Sequence, residues 1–245
     1  LLASSWKDID VQTFKELQGL KDSPVDSLAE RYIDIILLVS DYDVEEVEDM
    51  PLSELLKIIK KLEWLNTQPT KNHVKKIGEL EFLPFTKITW GMFIDLEHYY
   101  LDNYVENMNT ICGILLRQKE VNKWGVEEYE PYKYDPKQRG GIIQELPITS
   151  VYGLITSYLD YRNNLINNRY SNLFDKPMDE EEDLTGIDLK EYNEAKKEEE
   201  RFSKWSYESI TLTLSGDDVT KMNEVFNLSL IAVLNLLSMK SDLTR

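Results

Sequence analysis

The chain is short of the residues from which metal and nucleophile sites are most often built. It has one cysteine, Cys112, and two histidines, His73 and His98. A single thiol excludes an internal disulfide framework and a cysteine-based zinc site, and it suits a reducing cytoplasm. Glycine and proline are also scarce, at ten and eight, beside fourteen tyrosines and five tryptophans. That balance favours helices over a turn-rich β-sandwich. Positive charge is in deficit, with 28 Lys+Arg against 45 Asp+Glu and a net charge of −17. A phosphate backbone repels such a chain unless its cations are concentrated on one face. The densest basic run, "KNHVKKIG" at 71–78, is short, so nucleic acid and anionic membranes are not expected partners and a protein is. Long apolar runs are missing too. "IILLV" at 35–39 falls far below the roughly 20 residues that a membrane-spanning helix needs.

What remains is helical patterning. Asp10 stands ready to cap a helix carrying Val11, Phe14 and Leu17. Ser23-Pro24 restarts a helix whose apolar stripe runs through Leu28, Tyr32, Ile35, Ile36 and Val39. In "SDYDVEEVEDMPLSELLKIIKKLEWL" (40–65), Val44, Val47 and Met50 support a short helix that Pro51 stops. Ser53 is then expected to cap a second helix, with Leu55, Leu56, Ile59 and Leu62 inward and Lys57, Lys60 and Lys61 in water. "SGDDVTKMNEVFNLSLIAVLNLLSM" (215–239) echoes this pair, with Leu228-Ser229 opening its second helix. Between them, "HVKKIGELEFLPFTKI" alternates as strands do around Gly78-Glu79 and predicts a small β-hairpin. Thr89 caps a further helix, another runs from Tyr104 to about Gln118, and residues 119–146 read as irregular. Thr149-Ser150 opens the longest helix.

The expected fold class is therefore mainly α, a helical bundle-like arrangement with one small β-hairpin insertion. Residues 1–176 form a helical domain with the hairpin near 73–88. An acidic linker covers 177–185, and 186–245 is a second helical region. No strand–helix alternation supports a parallel dinucleotide-binding sheet.

Chemistry-bearing motifs are few. "QRGGIIQ" around Gly140-Gly141 lacks the Lys-Ser/Thr of a phosphate loop, and no nucleophile elbow is present. Asp95 and His98 share a helix face at i, i+3, as in di-metal bundles. The chain supplies no second such pair, so a helical metalloenzyme is the least favoured reading. No catalytic residue, metal or cofactor is expected. Cys112 falls in step with Met108, Ile111 and Leu115 and reads as a buried, inert thiol. Tyr and Arg are enriched where proteins bind one another. Tyr158, Tyr161, Arg162, Arg169 and Tyr170 on the long helix are therefore candidate partner-binding residues. Val225, Phe226, Ile231 and Leu234 in the 215–239 pair join them. The competing reading is that these stripes pack into a core.

Taken together, several segments resemble the tail assembly chaperones of tailed bacteriophages, in particular larger members from phages of Bacteroides-type hosts. They are "DVEEVEDMPLSELLKIIKKLEWL", the leading "WKDIDVQTFKELQGL", the hairpin running into "ITWGMFIDLEHYY", "ICGILLRQKE" before a "YDP" loop, "LPITSVYGLITSYLDYRNNLI" and "SGDDVTKMNEVFNLSLIAVLNLLSM". The resemblance implies a non-enzymatic assembly protein. Such a protein binds the apolar helices of tape-measure or tail-tube proteins in the host cytoplasm, and self-association into a homo-oligomer is a further option. The alternative is a structural or packaged component of the mature virion.

Overall fold

A computed structural model describes residues 1–22, 28–72, 74–132, 136–174 and 206–243. His73, the Ser23-Pro24 helix start and the expected acidic linker at 177–185 lie outside the described residues. The fold is mainly α with one small antiparallel sheet of order β1-β2-β3-β4. Contacts gather the chain into two compact units. The first is Leu1–Leu83 with Leu96–Asp160, and the second is Pro84–Asp95 with Tyr161–Arg245.

In the first unit, α1 (Val11–Asp22) starts where Asp10 Oδ1 accepts from the Thr13 amide at 2.7 Å. It is followed by α2 (Leu28–Leu38), α3 (Val44–Glu48) and α4 (Leu52–Lys61). Two reciprocal bonds close a capping box on α3. Asp43 accepts from the Glu46 amide at 2.8 Å, and Glu46 accepts from the Asp43 amide at 2.9 Å. Each satisfies an amide that a helix start leaves without an intrahelical partner. Pro51, at φ −56°, separates α3 from α4 as expected. The expected cap does not form, because α4 begins at Leu52 and Ser53 already lies inside it, with Pro51 at the cap and no side-chain bond there. Proline's fixed φ suits it to the edge of a helix, and its carbonyl accepts from the Glu54 and Leu55 amides at 2.8 and 3.1 Å.

The predicted hairpin is present as β1 (Lys76–Ile77) and β2 (Leu80–Phe82), turning at Gly78-Glu79. It is only half of the sheet. After α5 (Trp90–Asn103), the next helix, α6 (Met108–Leu115), stops three residues before Gln118, and β3 (Leu116–Val121) follows it directly. β3 pairs antiparallel with β2, Glu81 opposite Arg117 and Phe82 opposite Leu116. β4 (Glu127–Tyr129) pairs with β3, and α7 (Pro136–Gln144) packs on α6. The expected irregular stretch 119–146 therefore holds a strand pair and a helix. Cross-strand charge supports the strand at 116–121. Glu81 is bracketed by Lys76 on β1 and by Lys119 on β3, the latter at 2.8 Å. Those hydrogen bonds, Lys119's first, hold the Glu81 carboxyl below its usual range. Opposite charges facing across a ladder stabilise the pairing.

The core of this unit includes Phe14, Leu17, Ile36, Ile111, Cys112, Leu115 and Leu154. Burial pushes the Cys112 thiol well above its ordinary pKa, in keeping with the inert role read from its spacing. The helix α8 (Tyr152–Asn164) begins in this unit, and Gly153 allows a close approach there. A Cβ at that position would lie 2.1 Å from the Lys71 carbonyl oxygen.

In the second unit, α8 passes into a π-helical turn, Leu165–Arg169, and then α9 (Ser171–Phe174). The unit continues with α10 (Ser206–Leu214), α11 (Met222–Phe226) and α12 (Leu230–Leu243). Trp90 organises the centre. Its ring stacks on Phe93 at 5.9 Å, both rings meet Tyr207 edge-on, and its Nε1 donates to Thr211 Oγ1 at 2.8 Å. A buried indole N–H and a buried hydroxyl thus satisfy each other.

Candidate functional site

Helix α4 has more apolar surface than its neighbours cover. Ile58 and Leu62 are buried and Leu55 and Ile59 are half-buried, whereas Leu52 is 69% exposed and Leu56 is also exposed. The inward stripe expected through Leu56 is thus rotated: Ile58 takes the buried place and Leu56 faces outward. Leu52, Leu56 and Ile59, at i, i+4 and i+7, form one ridge along the helix. The contacting helix α2 carries a similar ridge, Leu28, Tyr32 and Ile35, in which Leu28 is 71% exposed and Ile35 half-buried. Exposed carboxylates stand on α2 itself, at Glu30 and Asp34, and on α3, at Glu45, Glu46 and Glu48. Contiguous apolar surface rimmed by charge marks an interaction site more often than isolated exposed leucines do.

The candidate residues named from the sequence fall in two places. Tyr158 is buried in the first unit. The others lie in the second. Tyr170 is buried and donates to Asn235 Oδ1 at 2.6 Å, and Val225 and Leu234 are also buried. Burial leaves these four no surface to offer a partner in this fold. Tyr161, Arg162, Phe226 and Ile231 are half-buried and Arg169 is exposed. The Tyr161 ring lies 5.3 Å from Phe85, and burial raises its hydroxyl pKa while Arg169 acts in the opposite direction. Arg169 sits 5.1 Å over the Tyr170 ring, a cation–π contact, and Arg162 donates to Asn163 Oδ1 at 3.2 Å. His98, on α5, is exposed and meets the edge of Tyr99. Among the described residues no group of three or more His, Cys, Asp or Glu is arranged to hold a metal ion.

Sequence reasoning missed two features of the first unit. The first is a buried cationic cluster. Arg117 on β3 is almost wholly enclosed, donates from Nη1 to the Leu116 carbonyl at 2.7 Å, and lies 4.7 Å from the Tyr132 ring. Burial lowers its pKa to about 10. Arg139 reaches the same Leu116 carbonyl at 2.6 Å and pairs with Glu130 at 2.5 Å. Burial acts to raise the Glu130 carboxyl, but the Gln118 amide and Arg139 more than offset it and hold it low. The second feature is a recessed cavity of about 190 Å³ walled by Trp6, Phe14, Tyr104, Met108, Tyr152 and Ile155. Trp6 meets Phe14 edge-on at 5.6 Å, and Phe14 meets Tyr152 at 6.0 Å. The Trp6 indole N–H is held by the Thr67 carbonyl at 3.2 Å. Burial, and then Tyr104, raise the Tyr152 hydroxyl pKa. Only the spacing of Trp6, Phe14 and Tyr152 around helix starts could have hinted at this cavity.

Comparison with protein families, with curated proteins and with solved structures gives no match to this chain. Among the described residues no helix is long and apolar enough to cross a membrane.

Proposed function

We propose that the protein is a non-enzymatic assembly chaperone of the phage tail type. It holds apolar helices of a tape-measure or tail-tube protein in the host cytoplasm until they assemble. The observation that supports this most is the outward ridge Leu52, Leu56 and Ile59 on α4, together with the exposed Leu28 and Tyr32 on the contacting helix α2. A partner helix laid against this apolar surface removes it from water at about 25 cal/mol per Å². The carboxylates on α2 and α3 and the net charge of −17 keep the loaded complex soluble and favour a partner with basic flanks. The sequence resemblance described above points to the same class.

The test is co-expression with the tape-measure protein encoded beside it. The wild-type chain should raise the soluble yield of that protein and co-purify with it. A Leu52→Asp, Leu56→Asp double variant should fold normally and lose both effects. No complex with the wild-type chain would overturn the proposal. Stoichiometric presence of the chain in purified particles would favour a virion component instead.

A further inference from the structure

Four aromatic residues line the recessed cavity of the first unit, and each comes from a different segment. Trp6 belongs to the short turn Trp6–Asp8, Phe14 to α1, Tyr104 to the stretch between α5 and α6, and Tyr152 to the start of α8. The ring planes of Trp6 and Phe14 meet at 65°, and those of Phe14 and Tyr152 at 69°. The three rings are therefore successive walls set steeply to one another, not a flat stack. Two contacts brace Trp6: its indole N–H donates to the Thr67 carbonyl at 3.2 Å, and Trp64 meets its ring edge-on at 5.0 Å. Trp6 and Phe14 are buried and Tyr152 is half-buried, while Tyr104, at 41% exposed, is the most open of the four.

The chemistry of the lining narrows what can enter. Among the described residues that line the cavity there is no lysine, arginine, histidine, aspartate or glutamate. An anion would lose its hydration there with no cation to pair with. A primary ammonium brings three N–H donors and is strongly hydrated. A quaternary ammonium has no N–H group to satisfy and spreads its charge over methyl groups, so it leaves water at less cost and is drawn to ring faces. Met108 and Ile155, both buried, add apolar surface for those methyl groups. The net charge of −17 adds a field that attracts cations. The volume of about 190 Å³ is below the roughly 300–1,000 Å³ of pockets for drug-sized ligands and suits a headgroup.

We infer that the cavity lined by Trp6, Phe14, Tyr104 and Tyr152 is a cation–π site for a small quaternary ammonium group, of the size of choline or of a trimethylated amine. The rings supply the attraction, and no ion pair takes part. The site uses none of the ridge residues on α4, so it stands or falls separately from the chaperone reading.

Calorimetric titration of the full chain at constant ionic strength tests this. Tetramethylammonium and choline should bind with dissociation constants on the order of millimolar. The neutral carbon isostere of choline, 3,3-dimethyl-1-butanol, should bind at least about tenfold more weakly. Choline affinity should be flat from about pH 6 to 9, because burial raises the Tyr152 hydroxyl above an ordinary value of about 10 and an ion pair is not involved. Tyr104→Leu changes the most open wall. It should keep the wild-type circular dichroism spectrum and weaken choline about two- to fivefold, and Tyr104→Phe, which keeps the ring, should bind as wild type. Choline presents the group as a free solute and N-acetyl-trimethyllysine amide presents it as a modified side chain; binding of either supports the site, and the tighter one identifies the source. No heat with any of these cations would overturn the inference. So would equal binding of the neutral isostere, or wild-type choline affinity in Tyr104→Leu.

Discussion

The two helix–break–helix segments start from similar sequences and differ in which of their apolar residues are covered. In α3–α4 the break is Pro51 and the second helix leaves Leu52 and Leu56 in water. In α11–α12 the break is Leu228-Ser229, and the flanking apolar residues Val225, Leu230, Val233 and Leu234 are buried. The difference lies in what holds the break. The Leu228 carbonyl accepts from the Trp90 amide at 2.8 Å, and the Leu230 amide donates to the Ile88 carbonyl at 3.0 Å. Long-range main-chain bonds thus draw the C-terminal pair into its unit's core. The α3–α4 pair is fixed mainly by local devices, the Asp43–Glu46 box and the proline. A pattern of apolar positions specifies an amphipathic helix; the neighbours decide whether its apolar arc becomes core or surface. The C-terminal pair, the more apolar of the two, was the better sequence-based candidate for a partner groove, yet the exposed ridge lies on α4.

The contrast is sharpest in a matched pair of truncations. Leu234→Ala opens a cavity in a closed core and should cost about 2–5 kcal/mol in chemical denaturation. Leu52→Ala should change stability by no more than about 0.5 kcal/mol. Equal losses at the two sites would abolish the distinction between a core pair and a surface pair. Asp43→Ala removes one arm of the capping box on which α3 depends and should cost roughly 1 kcal/mol. The effect should be recovered by Asp43→Ser, which also caps, and a silent Asp43→Ala would mean that α3 is held by its packing.

The smallest effect is in pH. Asp218 caps the turn before α11; its carboxyl is held low by the Thr220 hydroxyl and then by the Thr220 amide. A folded-state pKa below the unfolded value of about 3.9 adds stability above that pH, and the gain is lost as pH falls through the folded value. Asp218→Asn keeps an acceptor without the titration. The stability difference between wild type and Asp218→Asn should therefore shrink on acidification from about pH 6 to below 4. A constant difference would mean that the cap is not electrostatic.

Much of this was legible in the sequence where the cause is local. The Asp10 cap, the stop at Pro51, the turn at Gly78-Glu79 and the buried Cys112 each follow from a few adjacent residues. β3 was not legible, because Met108, Ile111, Cys112 and Leu115 keep helical spacing up to the residue before it. The strand is selected by Glu81 and Phe82, more than thirty residues earlier. "NKWG" with its glycine was the available hairpin signal. At the candidate sites, a stripe of tyrosines has the same spacing whether it meets solvent or core, and Tyr158 and Tyr170 went to core. The ridge on α4 was equally ambiguous. Its residues read as apolar from the start, but which of them would be covered depended on a helix that lies earlier in the chain and contacts it from one side.

The sole cysteine has one more consequence. Cys112 sits wholly enclosed in α6 with a thiol reluctant to ionise, so a thiol-directed reagent meets it only when the first unit opens. The molecule thus carries its own clock for that opening, readable without introducing a label site, and silent to anything that happens on the surface.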